Sequence, residues 1–342
     1  MTDTKKEHYV PRFYLKSFEA DDERVRVFDK KTMSTRPQKI LDVAMENYFY
    51  DIDFQKLLES VPPEKIGLLK KDLMEITETE KWEEVEALLN PKHIEKDFLN
   101  PLETSYAALF NKLICYSYDG NSWVIQNCKA FSDEEKINLS LYLAIQIMRT
   151  KASRDSIKEL TEKLSQRMLD VALKSDEGEH PNEKYEVSAL PEYVKLEHSL
   201  LMLDDQEILH LAEVLCNHIW VMYVNKTQIP FYTSDNPVAR IPHKREGELY
   251  RSGFASEGIE ISFPITPNLL LGLYDEKTYG VLYSDRQYIS IDSNDEVQYF
   301  NKAQILSSTR FVFSNNEDFS LAENICNEHP EIRDIKDRFV II

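Results

Sequence analysis

The order of apolar and polar positions divides the chain into a β region, a long helical block and a second β region. RVRVFDK at 24–30 alternates like a strand and ends in a polar turn. Positions 63–89 show helical spacing with a charged opposite face, typical of one surface helix or a pair of them. From Trp220 onward, short apolar or alternating runs are separated by turn signals. This order predicts an α+β fold.

The helical block is predicted to form a bundle. Ser132 and Glu135 make a capping box, so the longest helix should begin there and run to about residue 174. Its first half is apolar nearly all round, which places it in the middle of the bundle. Another helix opens at Asn90-Pro91, and its apolar stripe favours one helix kinked at Pro101 over a new helix starting there.

The C-terminal region is predicted to be a mostly antiparallel sheet, formed by WVMYV, FYTSD, IEISFPI, LLLGLY and YISID. The N-terminal strand should rejoin this sheet. We therefore expect one α+β domain over residues 1–342, in which a central helical bundle at about 63–219 packs on the sheet.

Charge is distributed unevenly along the chain. The net charge is −19, which argues against a general basic surface for duplex DNA. Residues 1–40, however, hold ten Lys or Arg against seven Asp or Glu. This local excess is either ordinary fluctuation or a cationic wall beside a site for an anion.

Cysteine spacing and hydropathy favour a cytoplasmic protein without a membrane span. The four cysteines are scattered and show no zinc or disulfide spacing, so reduced thiols are expected. The N-terminus has no apolar run of the signal-peptide kind, and no run of eighteen apolar residues occurs.

Six segments, HYVPRFYLKSF, VRVFDK, ENYFY, AIQIMR, FYTSDNPV and FPITP, occur in an order that closely resembles the domain-of-unknown-function family numbered 4238. The resemblance covers nearly the whole chain and implies a set of motif positions rather than a reaction. Those positions are His8, Pro11, Leu15, Phe18, Glu46, Asn47, Tyr50, Glu103, Gln146, Arg149, Ser234, Asp235, Asn236 and Pro237. Arg12 departs from the glutamine more usual in the family, so no role is assigned to it.

The opening segment places a histidine on an extended arm. Val10 precedes Pro11 and is biased to an extended backbone, and Pro11 can start a short helix. His8 is therefore either a general base, general acid or metal ligand, or a residue that ties the arm to the body by hydrogen bonds.

Gln146 and Arg149 lie three residues apart on one helix face within an apolar segment. A buried guanidinium needs a carboxylate or phosphate partner, and Glu103 is the expected protein partner. The pair forms either a structural ion pair or, through Arg149, a bidentate grip on a phosphate.

Two further polar motifs precede or follow predicted strands. Glu46-Asn47 stands before an aromatic strand, where it either caps a turn or supplies a carboxylate at a strand edge. Ser234 to Pro237 reads SDNP after a strand, which is typical of an Asx-turn but also of a rigid site for chemistry.

A single cleft that holds these residues would suit a hydrolase acting on a phosphate ester, nuclease-like or nucleotide-directed, with or without a divalent metal such as Mg²⁺. His8 would act as acid or base, and Arg149 would stabilise anionic charge. Glu46 and Asp235 would bind metal or activate water. The expected substrate contacts are Asn47, Gln146, Ser234 and Asn236. Aromatic residues of the arm could stack on a nucleotide or on single-stranded nucleic acid.

The alternative is a non-enzymatic protein-interaction module, in which the same polar residues form a structural network. The two hypotheses differ in one geometric expectation. The enzyme requires His8, Glu46, Gln146, Arg149 and Asp235 to line one open pocket.

Overall fold

The computed structural model describes residues 6–90, 93–118, 129–175, 185–246 and 249–334. The α-helices of these residues are α1 (Arg12–Leu15), α2 (Phe54–Glu59), α3 (Pro63–Ile76), α4 (Trp82–Leu88), α5 (Asn100–Tyr118), α6 (Asp133–Met148), α7 (Lys151–Ser175), α8 (Pro191–Leu203), α9 (Asp205–Cys216), α10 (Glu276–Tyr279), α11 (Asn294–Ser307) and α12 (Ser320–Glu328). The strands are β1 (Lys6–His8), β2 (Val25–Asp29), β3 (Ser34–Gln38), β4 (Met45–Asn47), β5 (Ile219–Asn225), β6 (Thr233–Ser234), β7 (Ala239–Pro242), β8 (Arg245–Glu246), β9 (Leu249–Tyr250), β10 (Ile259–Thr266), β11 (Leu269–Tyr274), β12 (Gln287–Ile291) and β13 (Phe311–Ser314). This arrangement confirms the predicted α+β fold.

Two sheets carry most of the strands. The five-stranded sheet has the order β12-β5-β11-β10-β7, and the four-stranded sheet has the order β3-β2-β13-β6. In the smaller sheet, N-terminal β2 pairs antiparallel with C-terminal β13, with Asp29 opposite Phe311. The N-terminal strand therefore returns to C-terminal strands as predicted. The expectation of one sheet is wrong, because β2 joins β13 and β6 in a second sheet that is separate from the sheet of β5, β10, β11 and β12. β12 runs parallel to β5, so the larger sheet is mixed.

The helix predicted from Ser132 is divided in two. The capping box at its start is present, but α6 ends at Met148 and α7 begins at Lys151, so the predicted length is wrong. Thr150 separates the two helices, because its hydroxyl accepts a hydrogen bond from the Ser153 N–H at 3.2 Å. That bond caps the first turn of α7.

The predicted kink near Pro101 corresponds to a π-helical segment, His93–Leu99, that leads directly into α5. Proline lacks an N–H and crowds the preceding turn, which disfavours regular α-helical hydrogen bonds there. Residues 91–92, where the helix is predicted to begin, lie outside the described ranges.

The N-terminal arm, Lys6–Phe18, is fastened to the body by its aromatic residues. The Tyr14 hydroxyl donates to the Pro264 carbonyl at 2.7 Å and lies 2.6 Å from Thr233 Oγ1. The Tyr14 ring stacks on Phe263 with a centroid distance of 5.1 Å. One buried apolar cluster thus joins the arm, α5, α6 and the five-stranded sheet.

The described helices and thiols agree with two coarse expectations. None of the helices described here is long and apolar enough to cross a bilayer. Cys216 and Cys326 are free thiols, and Cys128 lies outside the described residues.

Candidate functional site

A cleft of about 440 Å³ lies beside the four-stranded sheet, β4 and the first turn of α7. Tyr9 of the arm contributes to its lining. The charged residues that line it are Lys31, Arg36, Asp42, Glu46, Lys151, Asp155, Asp235, Arg310, Arg333 and Asp334. We call this site the charged cleft. Its volume falls within the range of small-molecule sites.

Two arginines of the charged cleft share one buried carboxylate. Arg310 donates from Nε and Nη2 to the two oxygens of Asp29, at 2.9 and 2.7 Å. Arg36 Nη1 lies 3.7 Å from Asp29 Oδ2. Burial opposes ionisation of Asp29. The hydrogen bond and charge of Arg310, together with hydrogen bonds from the Lys31 N–H and Thr32, nevertheless lower the pKa of Asp29. Because the side chains of Arg36 and Arg310 remain 40% and 44% exposed, both can still reach a ligand.

Asp235 holds the chain segment that presents Arg310. Its Oδ1 accepts from the Thr309 N–H at 2.7 Å, and its Oδ2 accepts from the N–H groups of Arg310 and Phe311 at 2.8 and 2.9 Å. Burial raises the pKa of Asp235, and these hydrogen bonds partly oppose that rise. The carboxylate therefore positions the wall of the cleft and has little capacity left for a ligand.

Glu46 lies within a strand rather than before one. It belongs to β4 and stands opposite Glu7 of β1, so the expectation of a polar loop preceding an aromatic strand is wrong. The physical reason is pairing with the arm, which extends the backbone at Met45–Asn47. The Glu46 carboxylate forms an ion pair with Lys151 and lies 3.9 Å from Arg154. It faces the cleft together with Lys151.

Tyr9 is a cleft residue that the sequence did not identify. Burial raises the pKa of its hydroxyl well above the usual value, and the charges of Asp235, Glu46 and Asp155 raise it further. The hydroxyl is therefore protonated at neutral pH and can donate a hydrogen bond to an anion. The feature of the sequence that could have identified Tyr9 is its position next to His8 in the opening motif.

His8 does not line the charged cleft. Its Nε2 lies 3.3 Å from the Ile40 carbonyl. Burial, helped by the charges of Arg12 and Arg149, lowers the pKa of His8 to about 4, although the hydrogen bond to the Ile40 carbonyl opposes this shift. The imidazole is consequently neutral at pH 7 and ties the arm to the segment before β4, as the structural alternative expects.

A polar network fills the other side of the arm. Arg149 donates from Nη1 to Glu103 Oε1 at 2.8 Å, the pairing expected from the sequence, and from Nη2 to the His8 carbonyl at 2.7 Å. Gln146 Nε2 lies 3.4 Å from the Tyr9 carbonyl. We call Glu103, Gln146, Arg149 and these two carbonyls the polar network. It borders a small hollow of about 10 Å³ between α5 and α6.

The other expected substrate contacts lie outside the lining of the charged cleft. Ser234 is fully buried, and its hydroxyl donates to Gln304 Oε1 at 2.9 Å. Asn236 Nδ2 donates to the Ser307 carbonyl at 3.0 Å. Asn47 is exposed on β4. Ser234 and Asn236 thus fix the turn after β6 on α11.

The expectation that five motif residues line one open pocket is wrong. Glu46 and Asp235 line the charged cleft, Gln146 and Arg149 border the hollow, and His8 lines neither. The arm backbone separates the two groups, because the carbonyls of His8 and Tyr9 face the polar network while the Tyr9 side chain faces the cleft.

The predicted metal ligands are not gathered into a centre. In the part of the chain that the structure describes, no three or more His, Cys, Asp or Glu side chains are grouped to hold a metal ion. Glu46 and Asp235 share the cleft, but three backbone N–H groups occupy the oxygens of Asp235.

The excess of Lys and Arg in the first forty residues pointed to part of this site. Lys31 and Arg36 both come from that segment and line the charged cleft. Arg310 had no comparable signal, since its partner Asp29 is 281 positions away.

Comparison with known proteins places the chain in one family. No curated protein and no solved structure matches it. The family model described as "Protein of unknown function (DUF4238)" matches residues 6–318, nearly the whole chain. The chain therefore belongs to the DUF4238 family.

Proposed function

We propose that the protein is a hydrolase that acts on a phosphate ester in the charged cleft. One observation carries this proposal: two half-exposed arginines, anchored on one buried carboxylate, line the same cleft as Glu46 and Lys151. The sequence-based form of this hydrolase required His8, Gln146 and Arg149 in the same pocket as Glu46 and Asp235, and that form fails. The proposal therefore rests on a different set of residues, Arg36, Arg310 and Tyr9 together with Glu46 and Lys151.

The arginines and Tyr9 would hold the phosphoryl group. Guanidinium groups match the spacing of phosphate oxygens, and Arg310 Nη1 takes no part in its bond to Asp29. The protonated hydroxyl of Tyr9 would donate to a third oxygen.

Glu46 would act as the general base. It removes a proton from a water molecule as the water oxygen bonds to phosphorus and the ester P–O bond breaks. The same proton then passes to the leaving oxygen, which gives an alcohol and inorganic phosphate from a monoester, or an alcohol and a phosphomonoester from a diester. Lys151, paired with Glu46, holds the carboxylate in place.

Hydrolysis of p-nitrophenyl phosphate, a monoester, and of bis(p-nitrophenyl) phosphate, a diester, each with Mg²⁺ and with a chelator, tests the proposal and its metal dependence. We expect Arg36→Ala and Arg310→Ala to lose at least roughly tenfold in kcat/KM, and Glu46→Gln to lose kcat with little change in binding. Arg24→Ala is the control, because Arg24 is an exposed arginine outside the cleft. Circular dichroism verifies that each variant is folded. A wild-type protein without turnover, or an Arg36→Ala variant equal to the control, contradicts the proposal.

A non-enzymatic interaction module is the second candidate. The observation in its favour is the polar network, which uses Glu103, Gln146 and Arg149 to bind the arm rather than a ligand. If the protein is an interaction module, substitutions in the charged cleft should leave its biological phenotype unchanged. The network variant Gln146→Leu should weaken the phenotype, because it loosens the arm.

We further propose a cytoplasmic location. The free thiols Cys216 and Cys326 support it, because a reducing compartment keeps cysteines unpaired. Cell fractionation with antibody detection tests this location.

A further inference from the structure

We propose that the charged cleft takes a terminal phosphate of a small molecule, a phosphomonoester, and rejects the internal phosphodiesters of a nucleic acid strand. This inference rests on the proposed function and specifies its substrate class. It decides between the nucleotide-directed and the nuclease-like forms of that function.

The arginine pair suits a group with two negative charges. A phosphomonoester is close to a dianion at neutral pH, with three unesterified oxygens, whereas a diester carries one charge on two such oxygens. Arg36 and Arg310 bring two positive charges, and one negative charge of Asp29 is shared between them. The N–H groups of Arg310 Nη1 and of Arg36, together with the Tyr9 O–H, can donate to three oxygens at once.

Exposed acids of the cleft oppose a strand that continues past the site. Asp42 is paired with Lys6, and Asp334 lies 3.9 Å from Lys31, so each carboxylate is partly neutralised. Their side chains are nevertheless 44% and 58% exposed, and both line the cleft with the arginines. A strand carries one negative charge per nucleotide on each side of a bound phosphate, so its neighbouring phosphates would meet these acids. The net charge of −19 adds a general repulsion of polyanions.

The size of the cleft agrees with a small ligand. About 440 Å³ accommodates a molecule on the scale of a mononucleotide. Tyr9 and Asp235, both buried, close the inner side of the cleft behind the arginines. A terminal phosphate can therefore enter first, with the rest of the molecule toward solvent.

Adenosine 5′-monophosphate and the dinucleoside monophosphate ApA form a matched pair of probes, because ApA carries the same base and a single diester. Calorimetry, and chromatographic detection of the adenosine released from either probe, should show at least roughly tenfold tighter binding and faster turnover of adenosine 5′-monophosphate. Arg36→Ala should remove that preference, whereas Arg24→Ala should keep it.

A charge-neutralisation experiment tests the two exposed acids, Asp42 and Asp334, separately. Asp42→Asn combined with Asp334→Asn should strengthen the binding of a short single-stranded oligonucleotide severalfold more than that of adenosine 5′-monophosphate, because the strand carries additional phosphates past the site. Equal or better use of ApA by the wild type would overturn the inference while the proposed hydrolase survived. Failure to bind or hydrolyse either probe would overturn the proposed function itself.

Discussion

The charged cleft and the polar network lie on two sides of the same two residues, His8 and Tyr9, but they use their charges differently. In the network, Arg149 is buried and bonds to Glu103 and to the arm. In the cleft, Arg36 and Arg310 share one carboxylate and keep much of their surface in solvent. A guanidinium surrounded by protein acceptors stabilises the fold, whereas one with spare donors is available to a ligand.

Arg149→Ala is the strongest test of this comparison. It removes the partner of Glu103 and of the His8 carbonyl, and the loss of one side of a buried pair costs about 3–5 kcal/mol. Urea denaturation should show this decrease in the free energy of unfolding. The exposed Arg24→Ala should stay within about 0.5 kcal/mol of the wild type. A decrease below about 1 kcal/mol for Arg149→Ala would mean that the network does not hold the arm.

Asp235→Ala tests whether one wall of the cleft depends on a buried carboxylate. Three backbone N–H groups would lose their acceptor, and we expect a loss of about 2–4 kcal/mol in unfolding free energy. Asp235→Asn keeps one acceptor oxygen and should lose less. Binding of adenosine 5′-monophosphate should weaken in both folded variants, because Arg310 is no longer held in place. Unchanged binding would show that the Thr309–Phe311 segment holds its shape without Asp235.

Gln146→Leu removes a single hydrogen bond from the network without changing charge. The Tyr9 carbonyl would lose its side-chain donor, which costs about 1 kcal/mol. Hydrogen exchange of the Tyr9 amide, which bonds to the Ala44 carbonyl, should become faster. If Gln146→Leu lowers stability but the Tyr9 amide exchanges at the wild-type rate, the substitution destabilises α6 rather than the arm.

Glu7 gives the most specific effect, a dependence of stability on pH. Burial raises the pKa of Glu7 to about 7, against the hydrogen bond from the Tyr50 N–H, which lowers it. A pKa raised by folding means that the stabilising contribution is complete below pH 4.5 and is lost as the pH rises through 7. Glu7→Gln cannot ionise, so it should gain stability relative to the wild type from pH 5 to 8. Thermal unfolding across that range measures the difference, and a constant difference would contradict the burial of the carboxylate.

The features of the fold that could be predicted are mostly those set by residues close together in the sequence. The capping box of Ser132 and Glu135 and the alternation in β2 are local patterns, and both are present. The Arg149–Glu103 pair was also predictable, because a buried arginine on an apolar helix demands a carboxylate. The end of α6 was not predictable, because α6 ends where the Thr150 hydroxyl caps the first turn of α7.

The sites could be predicted only in part, because their assembly depends on distant pairings. Asp235 was identified as functional from a turn motif, but its role comes from three N–H groups more than seventy positions away. Arg310 carries no local signal, and it enters the cleft because β13 pairs with β2.

The sequence by itself determined the α+β order of elements, the family membership and the need to anchor an aromatic N-terminal arm. Local propensity, hydrophobic period and the demands of buried charge are enough for these. Only the tertiary structure decided that the arm divides the motif residues into an open cleft and a buried network. That division depends on which way each backbone carbonyl and side chain of His8 and Tyr9 faces, and strand pairing between β1 and β4 sets those directions.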